Sequence, residues 1–341
     1  MSNVTQHQRP GVYSVYDASS VISGKNGGKN VGIVAISAGG TAGTLYPLTS
    51  AEQAVTAFGA GDALTVLAGL ALRNGAAVVY AVPVTADAGY AAAFALLEKT
   101  ENVDVVTCDS TTASVQQALR DSVKAASEAR RERIAVVCGD DEDTVAELAA
   151  RAAGLNSERV VLTAPGGAKC AAAVAGAIAG EADPAVPLGG AELKGVTTLS
   201  GTYGDSDIDS LVLGGVTPLE AVGGVVSVVR GVTTRTKTGS AADASWREVT
   251  TIRIVDDVIP TLRRALGAKF SRAKNTEQGR GAIRSQVIAE LEQKKADEII
   301  TGFDNVTVSA LEDQPTVCLV EFDFTVAHGL NQIWLSAHIT V

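Results

Sequence analysis

Histidine is the side chain that most often moves protons in enzymes near neutral pH, and this sequence contains three of them. His7 belongs to a polar leader, while His328 and His338 lie beside and within the last apolar segment. Catalytic residues commonly lie on loops, and the predicted loops after the strands of the N-terminal half contain no histidine. A Ser-His-Asp triad is assembled in space and not by sequence order, but this distribution of histidines argues against hydrolase chemistry, and we expect that the protein is not an enzyme.

A glycine-rich turn at residues 39–43 is the segment closest in composition to a phosphate-binding loop. Its sequence, Gly-Gly-Thr-Ala-Gly, follows a predicted strand, as a nucleotide-binding loop would. However, the G-x-G-x-x-G order is missing, Pro47 interrupts the segment before a helix can begin, and no Walker sequence occurs elsewhere. We therefore predict no nucleotide site and no cofactor.

Two acidic clusters have the ligand type that cations prefer, but neither has a metal-binding pattern. Residues 140–143, Asp-Asp-Glu-Asp, precede a predicted helix, where acidic side chains stabilise the helix N-terminus. Asp205, Asp207 and Asp209 begin like a calcium-binding loop, but the required glycine is absent and no glutamate closes the loop. We interpret the first cluster as helix capping and the second as turn residues, and we predict no metal site.

The composition is that of an α/β protein with a large core of small aliphatic side chains. With 341 residues, of which 46% are hydrophobic and 19% charged, the chain can bury a core without disulfides or metals. Residues 1–8 lack the features of a signal peptide, and no run of about 18 apolar residues occurs, so we expect cytoplasmic synthesis and no membrane insertion. Four widely separated cysteines fit reduced core thiols: Cys108, Cys138, Cys170 and Cys318.

Charge is distributed unevenly along the chain. The net charge of −10 argues against a role in nucleic-acid binding. Between Arg230 and Lys295, however, fourteen Lys and Arg face seven Asp and Glu, so this tract carries +7 and the rest of the chain −17. Such a basic tract indicates a partner with an acidic surface, self-association between opposite faces, or simply solvated helix faces.

Short apolar runs alternate with Ala-rich segments in the N-terminal half, which predicts a mainly parallel sheet with helices on both faces. The predicted strands are Val31–Ser37, Ala76–Val82, Val103–Cys108, Ile134–Cys138 and Val160–Thr163. The predicted helices are Ala63–Arg73, Ala88–Lys99, Ser114–Arg131, Thr144–Ala153 and Ala168–Ala179. These elements define an α/β domain over residues 29–190.

The pattern changes in the second half of the chain. Residues 191–245 are rich in Gly, Pro, Asp and Thr, which predicts a connector with one apolar stretch at Ala221–Val229. Residues 246–341 predict an α+β domain. Its predicted elements are a strand Val249–Val255, a helix Asp256–Phe270 with Asp256 and Asp257 at its N-terminus, a helix Gly279–Lys295, and strands near Thr307, at Thr316–Val326 and at the C-terminus.

Alternation in the strand Thr316–Val326 predicts that one of its faces is buried and the other solvated. The predicted inward residues are Cys318, Val320, Phe322, Phe324 and Val326, and the predicted outward residues are Glu321 and Asp323.

The two ends of the chain carry strand patterns where chain ends usually fray. In the last eleven residues, apolar side chains alternate strictly with others, on a face formed by Ile333, Leu335, Ala337, Ile339 and Val341. Near the start, a short motif contains Val12, Tyr13, Val15 and Tyr16, followed by a glycine-rich hinge that ends at residue 28. Because a strand needs a neighbour for its ladder hydrogen bonds, we expect both ends to be held by pairing with another strand.

Several motifs, taken in order, resemble the tail sheath proteins of contractile phage tails. They are Arg9–Tyr13 (RPGVY), Val228–Thr234 (VVRGVTT), Trp246–Asp257 (WREVTTIRIVDD), the helix Arg280–Leu291 and the closing strand. The resemblance covers the arm and the last third of the chain, whereas the middle α/β portion matches in general character. The same family also supplies the sheaths of tail-like bacteriocins and related contractile injection systems.

The resemblance implies a structural subunit made in the bacterial cytoplasm and assembled into a phage tail or tail-like particle. In that family, subunits stack as hexameric rings around an inner tube, and the N-terminal arm and C-terminal strand cross to neighbouring subunits. The implied partners are other copies of the chain, the tube, the baseplate and the tail terminator, and contraction drives the tube through a target envelope. The basic tract then suggests contacts to an acidic tube surface through Arg263, Arg264, Lys269, Arg272 and Lys274.

The expected architecture is therefore an arm and hinge at residues 1–28, an α/β domain at 29–190, a connector at 191–245, and an α+β domain at 246–341 that ends in an exchanged strand. Two alternatives remain open from the sequence. One is a cytoplasmic Rossmann-like enzyme with a C-terminal oligomerisation domain, and the other is a binding module or closed oligomer that does not polymerise.

Overall fold

A computed structural model of the protein describes residues 28–330. The arm motif at Val12–Tyr16 and the terminal strand from Ile333 to Val341 lie outside the described residues. Within the described part, the fold is a mixed α/β structure with a mainly parallel sheet, as the sequence predicts, followed by a helical pair and a long β-hairpin.

The elements are numbered in chain order. The strands are β1 (Val31–Ile36), β2 (Tyr46–Leu48), β3 (Val79–Val84), β4 (Val105–Cys108), β5 (Ile134–Cys138), β6 (Val160–Ala164), β7 (Val216–Val222), β8 (Val225–Val228), β9 (Lys237–Thr238), β10 (Ala241–Ala242), β11 (Ile300–Leu311) and β12 (Gln314–Val326). The α-helices are α1 (Ala51–Phe58), α2 (Ala63–Arg73), α3 (Tyr90–Lys99), α4 (Ala113–Glu128), α5 (Val145–Leu155), α6 (Gly167–Gly180), α7 (Asp205–Leu213), α8 (Val249–Phe270) and α9 (Glu277–Ala296).

The main sheet has eight strands in the order β2-β3-β1-β4-β5-β6-β7-β8. Strands β3, β1, β4, β5, β6 and β7 are parallel, and the two edge strands β2 and β8 pair antiparallel to them. Every residue of β4, β5 and β6 is buried, because helices cover both faces of the sheet. This explains why these strands are readable from sequence as continuous apolar runs.

Two hydrophobic clusters occupy the two faces of the sheet. Ile33 of β1 points into the cluster under α2, α6 and α8, while its neighbour Val34 points into the cluster under α3, α4 and α5. Helices α2 and α6 approach closely because α6 is built from Gly and Ala. A Cβ atom added at Gly176 would lie 2.4 Å from the carbonyl oxygen of Ala71, so the contact requires glycine there.

The segment 191–245, expected as a connector, contributes to the main sheet. Its strand β7 pairs with β6 and its strand β8 pairs with β7, so the sheet extends to Val228. The interpretation of Asp205, Asp207 and Asp209 as turn residues is wrong, since helix α7 begins at Asp205. The Asp207 carboxylate accepts a hydrogen bond from the backbone N–H of Gly204 at 3.1 Å, as acidic residues in a first turn commonly do.

The predicted strand Val249–Val255 is also wrong, because these residues form the first turns of the 22-residue helix α8. All seven are buried, and apart from Arg253 they are Val, Ile or Thr, so the segment lacks the one-sided pattern of a surface helix. A fully buried helical segment cannot be told from a buried strand by periodicity. Consequently Asp256 and Asp257 lie inside the helix and not at its N-terminus.

The last described elements agree with the sequence. Helix α9 contains the predicted segment Gly279–Lys295, and strand β12 contains the predicted segment Thr316–Val326. Strands β11 and β12 pair antiparallel in a separate two-stranded sheet. The predicted alternation along β12 is confirmed, since Phe322, Phe324 and Val326 pack against the core while Glu321 and Asp323 are exposed.

Candidate assembly surfaces

The β11–β12 hairpin presents two open ladder edges. Its strands are 12 and 13 residues long, and within residues 28–330 no third strand pairs with either of them. An unpaired strand edge is a row of free N–H and C=O groups that invites pairing with another chain. The hairpin is therefore the surface of the described chain that is best suited to strand addition.

The inner face of the hairpin is fixed to the helical pair. Phe322 and Phe324 stack with ring centroids 5.7 Å apart, and Phe303 lies opposite Phe324 in the register. Arg284 of α9 donates from Nε to the Val306 carbonyl at 2.8 Å. These contacts hold the hairpin in place, so its open edges are presented by a rigid support.

The outer face of the hairpin is acidic. Asp304 of β11 lies directly opposite Asp323 of β12, and Glu321 follows on the same face. All three side chains are exposed and make no ion pair within residues 28–330. Like charges directly opposite each other destabilise a strand pair, so the isolated hairpin carries an uncompensated repulsion.

The five predicted tube-contact residues lie along α8 and the turn that follows it. Arg263 forms an ion pair of 2.7 Å with Glu132, next to the start of β5, and is mostly buried. Lys269 donates from Nζ to Gln286 Oε1 at 2.6 Å. Arg264, Arg272 and Lys274 are exposed. The structure thus places Arg272 and Lys274 together at the α8–α9 turn, whereas Arg263 joins α8 to the sheet domain.

Buried arginines join α8 to the start of strand β6 and to the end of helix α6. Arg159, at the start of β6, forms a bidentate ion pair with Asp256 on α8, with N–O distances of 2.7 and 2.9 Å. Arg253 donates to the carbonyl of Glu181 at 2.9 Å, and burial lowers its pKa to about 10. Burial raises the pKa of the Asp256 carboxyl, and the charge of Arg159 opposes that shift. Sequence reasoning did not identify these contacts, because their partners are far apart in the chain.

A polar groove of about 540 Å³ lies beside these ion pairs, at the amino ends of the strands. Its walls include both signs of charge, among them Lys29, Asp104, Arg131, Asp257 and Arg264. Ligand-binding α/β proteins use the opposite edge of the sheet, at the carboxyl ends of the strands. The groove is therefore at the wrong edge for a nucleotide site of that type.

At the carboxyl ends of the strands, acidic side chains are engaged by the chain's own loops. Asp109 accepts a hydrogen bond from the backbone N–H of Ile36 at 3.0 Å and another from the Tyr90 hydroxyl. Burial raises the pKa of Asp109, and these hydrogen bonds lower it. Asp62 accepts from Ser37 Oγ at 2.8 Å and caps helix α2. These contacts fix the loop conformations at the edge where a ligand would bind.

The acidic run at residues 140–143 is not itself the helix cap. Thr144 caps α5 in a capping box with Glu147, and Asp143 forms an ion pair of 2.7 Å with Arg151. Asp141 accepts from the Gly166 N–H and from Ser200 Oγ, at 3.2 and 2.6 Å. The run therefore holds adjoining loops and a helix together.

Neither metal binding nor membrane crossing is indicated in the part of the chain that the structure describes. Between residues 28 and 330, no group of three or more His, Cys, Asp and Glu side chains is arranged to hold a metal ion. No helix in that range combines the length and apolar character needed to span a bilayer.

Two family models match the sequence. Residues 84–234 match the central domain of phage tail sheath proteins, and residues 241–340 match the phage tail sheath C-terminal domain. Together the two matches cover most of the chain. No curated protein matches the sequence.

Solved structures with the same fold include sheath proteins from contractile assemblies. The helical sheath of the anti-feeding prophage in its contracted state has a TM-score of 0.72 at 14% identity, and the match covers 98% of this chain and 99% of that one. A crystal structure of a sheath tail protein from Desulfitobacterium hafniense also has a TM-score of 0.72 at 14% identity, covering 99% and 100%. A sheath tail protein from Listeria innocua has a TM-score of 0.69 at 13% identity, covering 89% and 96%.

The structural matches show a shared fold over nearly the whole length of each chain, and the family models match consecutive domains in the expected order. The motif Val228–Thr234 lies within the segment that matches the central domain, and the motif Trp246–Asp257 lies within the segment that matches the C-terminal domain. The chain belongs to the family of contractile phage tail sheath proteins.

Proposed function

We propose that the protein is the subunit of a contractile sheath that polymerises as stacked hexameric rings around an inner tube and contracts to drive that tube through a target envelope. The observation that carries this proposal is the β11–β12 hairpin, whose two ladder edges are open in the described chain while its inner face is fixed. Support also comes from the anti-feeding prophage, in which a protein of this fold forms a helical sheath.

The open hairpin edges suit strand exchange between subunits. The terminal strand, with Ile333, Leu335, Ala337, Ile339 and Val341 on one face, would add to a neighbour's hairpin. The arm motif Val12, Tyr13, Val15 and Tyr16 would add to the hairpin of another neighbour. In such β-augmentation, ladder hydrogen bonds supply affinity and alternating side chains fix the register. A head-to-tail contact of this kind generates an open helical polymer and not a closed dimer.

The buried ion pairs support movement of the subunit as one body. Arg159–Asp256 and Arg263–Glu132 both join α8 to the amino ends of the sheet strands. Helix α8 also packs on α9, and α9 packs on strand β11 of the hairpin. The hairpin and the sheet domain are therefore held together in the described chain. Contraction would then rotate whole subunits while the exchanged strands and the hinge that ends at residue 28 absorb the change in geometry.

The proposed partners are other copies of the chain, the tube, the baseplate and the tail terminator. A chain of the same fold occurs in the baseplate structure of the anti-feeding prophage, with a TM-score of 0.75 at 15% identity. Contacts to an acidic tube surface are proposed for the exposed residues Arg264, Arg272 and Lys274, with smaller roles for Arg263 and Lys269, which already have partners within the chain. The role is structural and needs no cofactor, and the subunit is made in the bacterial cytoplasm before assembly.

The proposal is tested by electron microscopy and sedimentation of the purified protein. We expect long hollow cylinders or ring stacks from the full chain, and folded monomers that no longer polymerise after deletion of residues 331–341. Circular dichroism distinguishes loss of assembly from loss of folding. Discrete small particles of the full chain under all conditions contradict a sheath, and nucleotide-dependent thermal stabilisation would instead support the Rossmann-like enzyme.

A further inference from the structure

The acidic outer face of the hairpin has no cation of its own to neutralise it. Residues 296–341 contain seven acidic residues and no Lys or Arg. The hairpin therefore cannot be neutralised by its own strands, and the terminal strand of a neighbour brings no Lys or Arg either. The acidic residues of this segment are Asp297, Glu298, Asp304, Glu312, Asp313, Glu321 and Asp323.

The register concentrates this charge at one point. Asp304 and Asp323 are directly opposite, and Glu321 lies on the same strand and face as Asp323, two residues away. Within residues 28–330, Asn305 Nδ2 donates to Asp323 Oδ2 at 2.6 Å and Thr307 Oγ1 donates to Glu321 Oε2 at 3.5 Å. Neutral donors leave the three negative charges in place, so a cationic group brought by a partner would stabilise the hairpin.

The arm contains one candidate for that group. Among the first 24 residues, Arg9 is the only Lys or Arg, and it stands immediately before Pro10 and the strand motif that begins at Val12. Strands in a sheet lie about 4.8 Å apart, so an arginine on an added third strand can reach carboxylates on the adjacent strand and approach those on the next. Its guanidinium also suits bidentate binding of carboxylates.

We propose that Arg9 of one subunit binds the carboxylates of Asp304, Glu321 and Asp323 on the hairpin of a second copy, and thereby fixes the register of the added arm. The occupant is a second copy of this chain, and this inference rests on the proposed strand exchange. Without such a contact, backbone pairing alone tolerates slippage by two residues, since the apolar face is then preserved. A single cation facing a localised cluster of carboxylates removes that ambiguity.

The test is a charge exchange between the two sites in the full chain. Arg9→Glu and Asp323→Arg should each reduce the sedimenting polymer at low salt by about tenfold, the effect of roughly 1.4 kcal/mol per contact. The double variant should restore polymer, and Arg9→Lys should retain most of it. Asp323→Arg relieves the repulsion with Asp304, so its melting temperature should not fall, which separates lost assembly from misfolding. Lys25→Glu, in the glycine-rich hinge that follows the arm motif, is the matched control.

Polymerisation of Arg9→Glu at wild-type levels would overturn the inference, as would a double variant no better than the single ones. If the wild-type chain does not polymerise, the proposed function fails, and a labelled peptide of residues 5–17 then tests the contact by fluorescence anisotropy on the full chain. Binding that weakens with Arg9→Glu in the peptide and recovers on the Asp323→Arg chain supports the contact. Equal binding of both peptides rejects it.

Discussion

Arg159 and Asp256 form a bidentate ion pair that joins the amino end of strand β6 to helix α8, across 97 residues of sequence. Both side chains are almost fully buried, at 3% and 7% exposure. Arg159 also donates to the backbone carbonyl of Arg133 at 3.1 Å, so the guanidinium links three segments. The pair therefore fixes how the C-terminal elements sit on the sheet.

Replacing Arg159 by methionine should destabilise the subunit strongly. The change leaves the Asp256 carboxylate buried without its partner, and breaking a buried pair in this way costs about 3–5 kcal/mol. Urea denaturation of the non-polymerising 331–341 deletion variant measures the loss. The control is Lys124→Met, which removes an exposed pair with Glu128 on the same helix and should cost about 1 kcal/mol or less. Equal effects of the two substitutions would show that the buried pair does not hold α8 in place.

Glycine is required where α6 crosses α2. Gly176→Ala should destabilise the subunit by about 1–3 kcal/mol, because its new methyl group would overlap the Ala71 backbone and push the helices apart. Gly69→Ala, in α2 itself, meets no atom within 4 Å and should be neutral or stabilise by up to about 1 kcal/mol through helix propensity. Thermal unfolding of the two variants provides the comparison. Similar melting temperatures would mean that the helices can separate without cost.

The terminal strand should be sensitive to charge on one face only. Leu335→Asp places a carboxylate on the predicted apolar face and should abolish polymerisation, because an unpaired charge would be buried against a neighbour. Ser336→Asp places the same group on the opposite face and should leave polymer largely intact. Sedimentation and electron microscopy measure both variants, with circular dichroism as the check of folding. Loss of polymer in both variants, or in neither, would contradict the assigned strand face.

The basic α8–α9 turn should matter for the tube and not for the subunit's own fold. Arg272→Glu with Lys274→Glu should reduce co-assembly with the tube, since exposed ion pairs each contribute about 1 kcal/mol or less but act together. The effect should weaken with added salt, which screens exposed charges. Lys124→Glu, an exposed site on α4, is the control. Unchanged tube-associated assembly of the double variant would remove these residues from the proposed tube surface.

Much of the fold is readable from the sequence because the parallel strands are buried on both sides. Helix α2 has the predicted bounds Ala63–Arg73, since Asp62 caps it with a hydrogen bond to the Leu64 N–H at 2.9 Å. Strand β5 also has its predicted bounds, Ile134–Cys138, and all its residues are buried. Local signals of this kind need no knowledge of distant residues.

Other elements depend on distant partners. Strand β2 has three residues and exists because Tyr46–Leu48 pair with β3, so its own sequence gives little sign of it. Helix α1 is missed although Ser50 caps it by accepting from the Gln53 N–H, a local signal that an N-cap search would have found. Strands β7 and β8 join the sheet through pairing with β6.

The sequence by itself determined the alternation of strands and helices, the family and the separation of charge between a basic tract and an acidic C-terminal segment. These properties follow from local composition and order, which are independent of the folded shape. Only the tertiary structure decided that Val249–Val255 is helical, that Arg263 pairs with Glu132, and that Asp304 faces Asp323. Those outcomes depend on which segments meet in space. A helical segment that is buried on all sides shows no one-sided hydrophobic pattern in its sequence, and ion pairs form between side chains that are close in the fold whatever their separation along the chain.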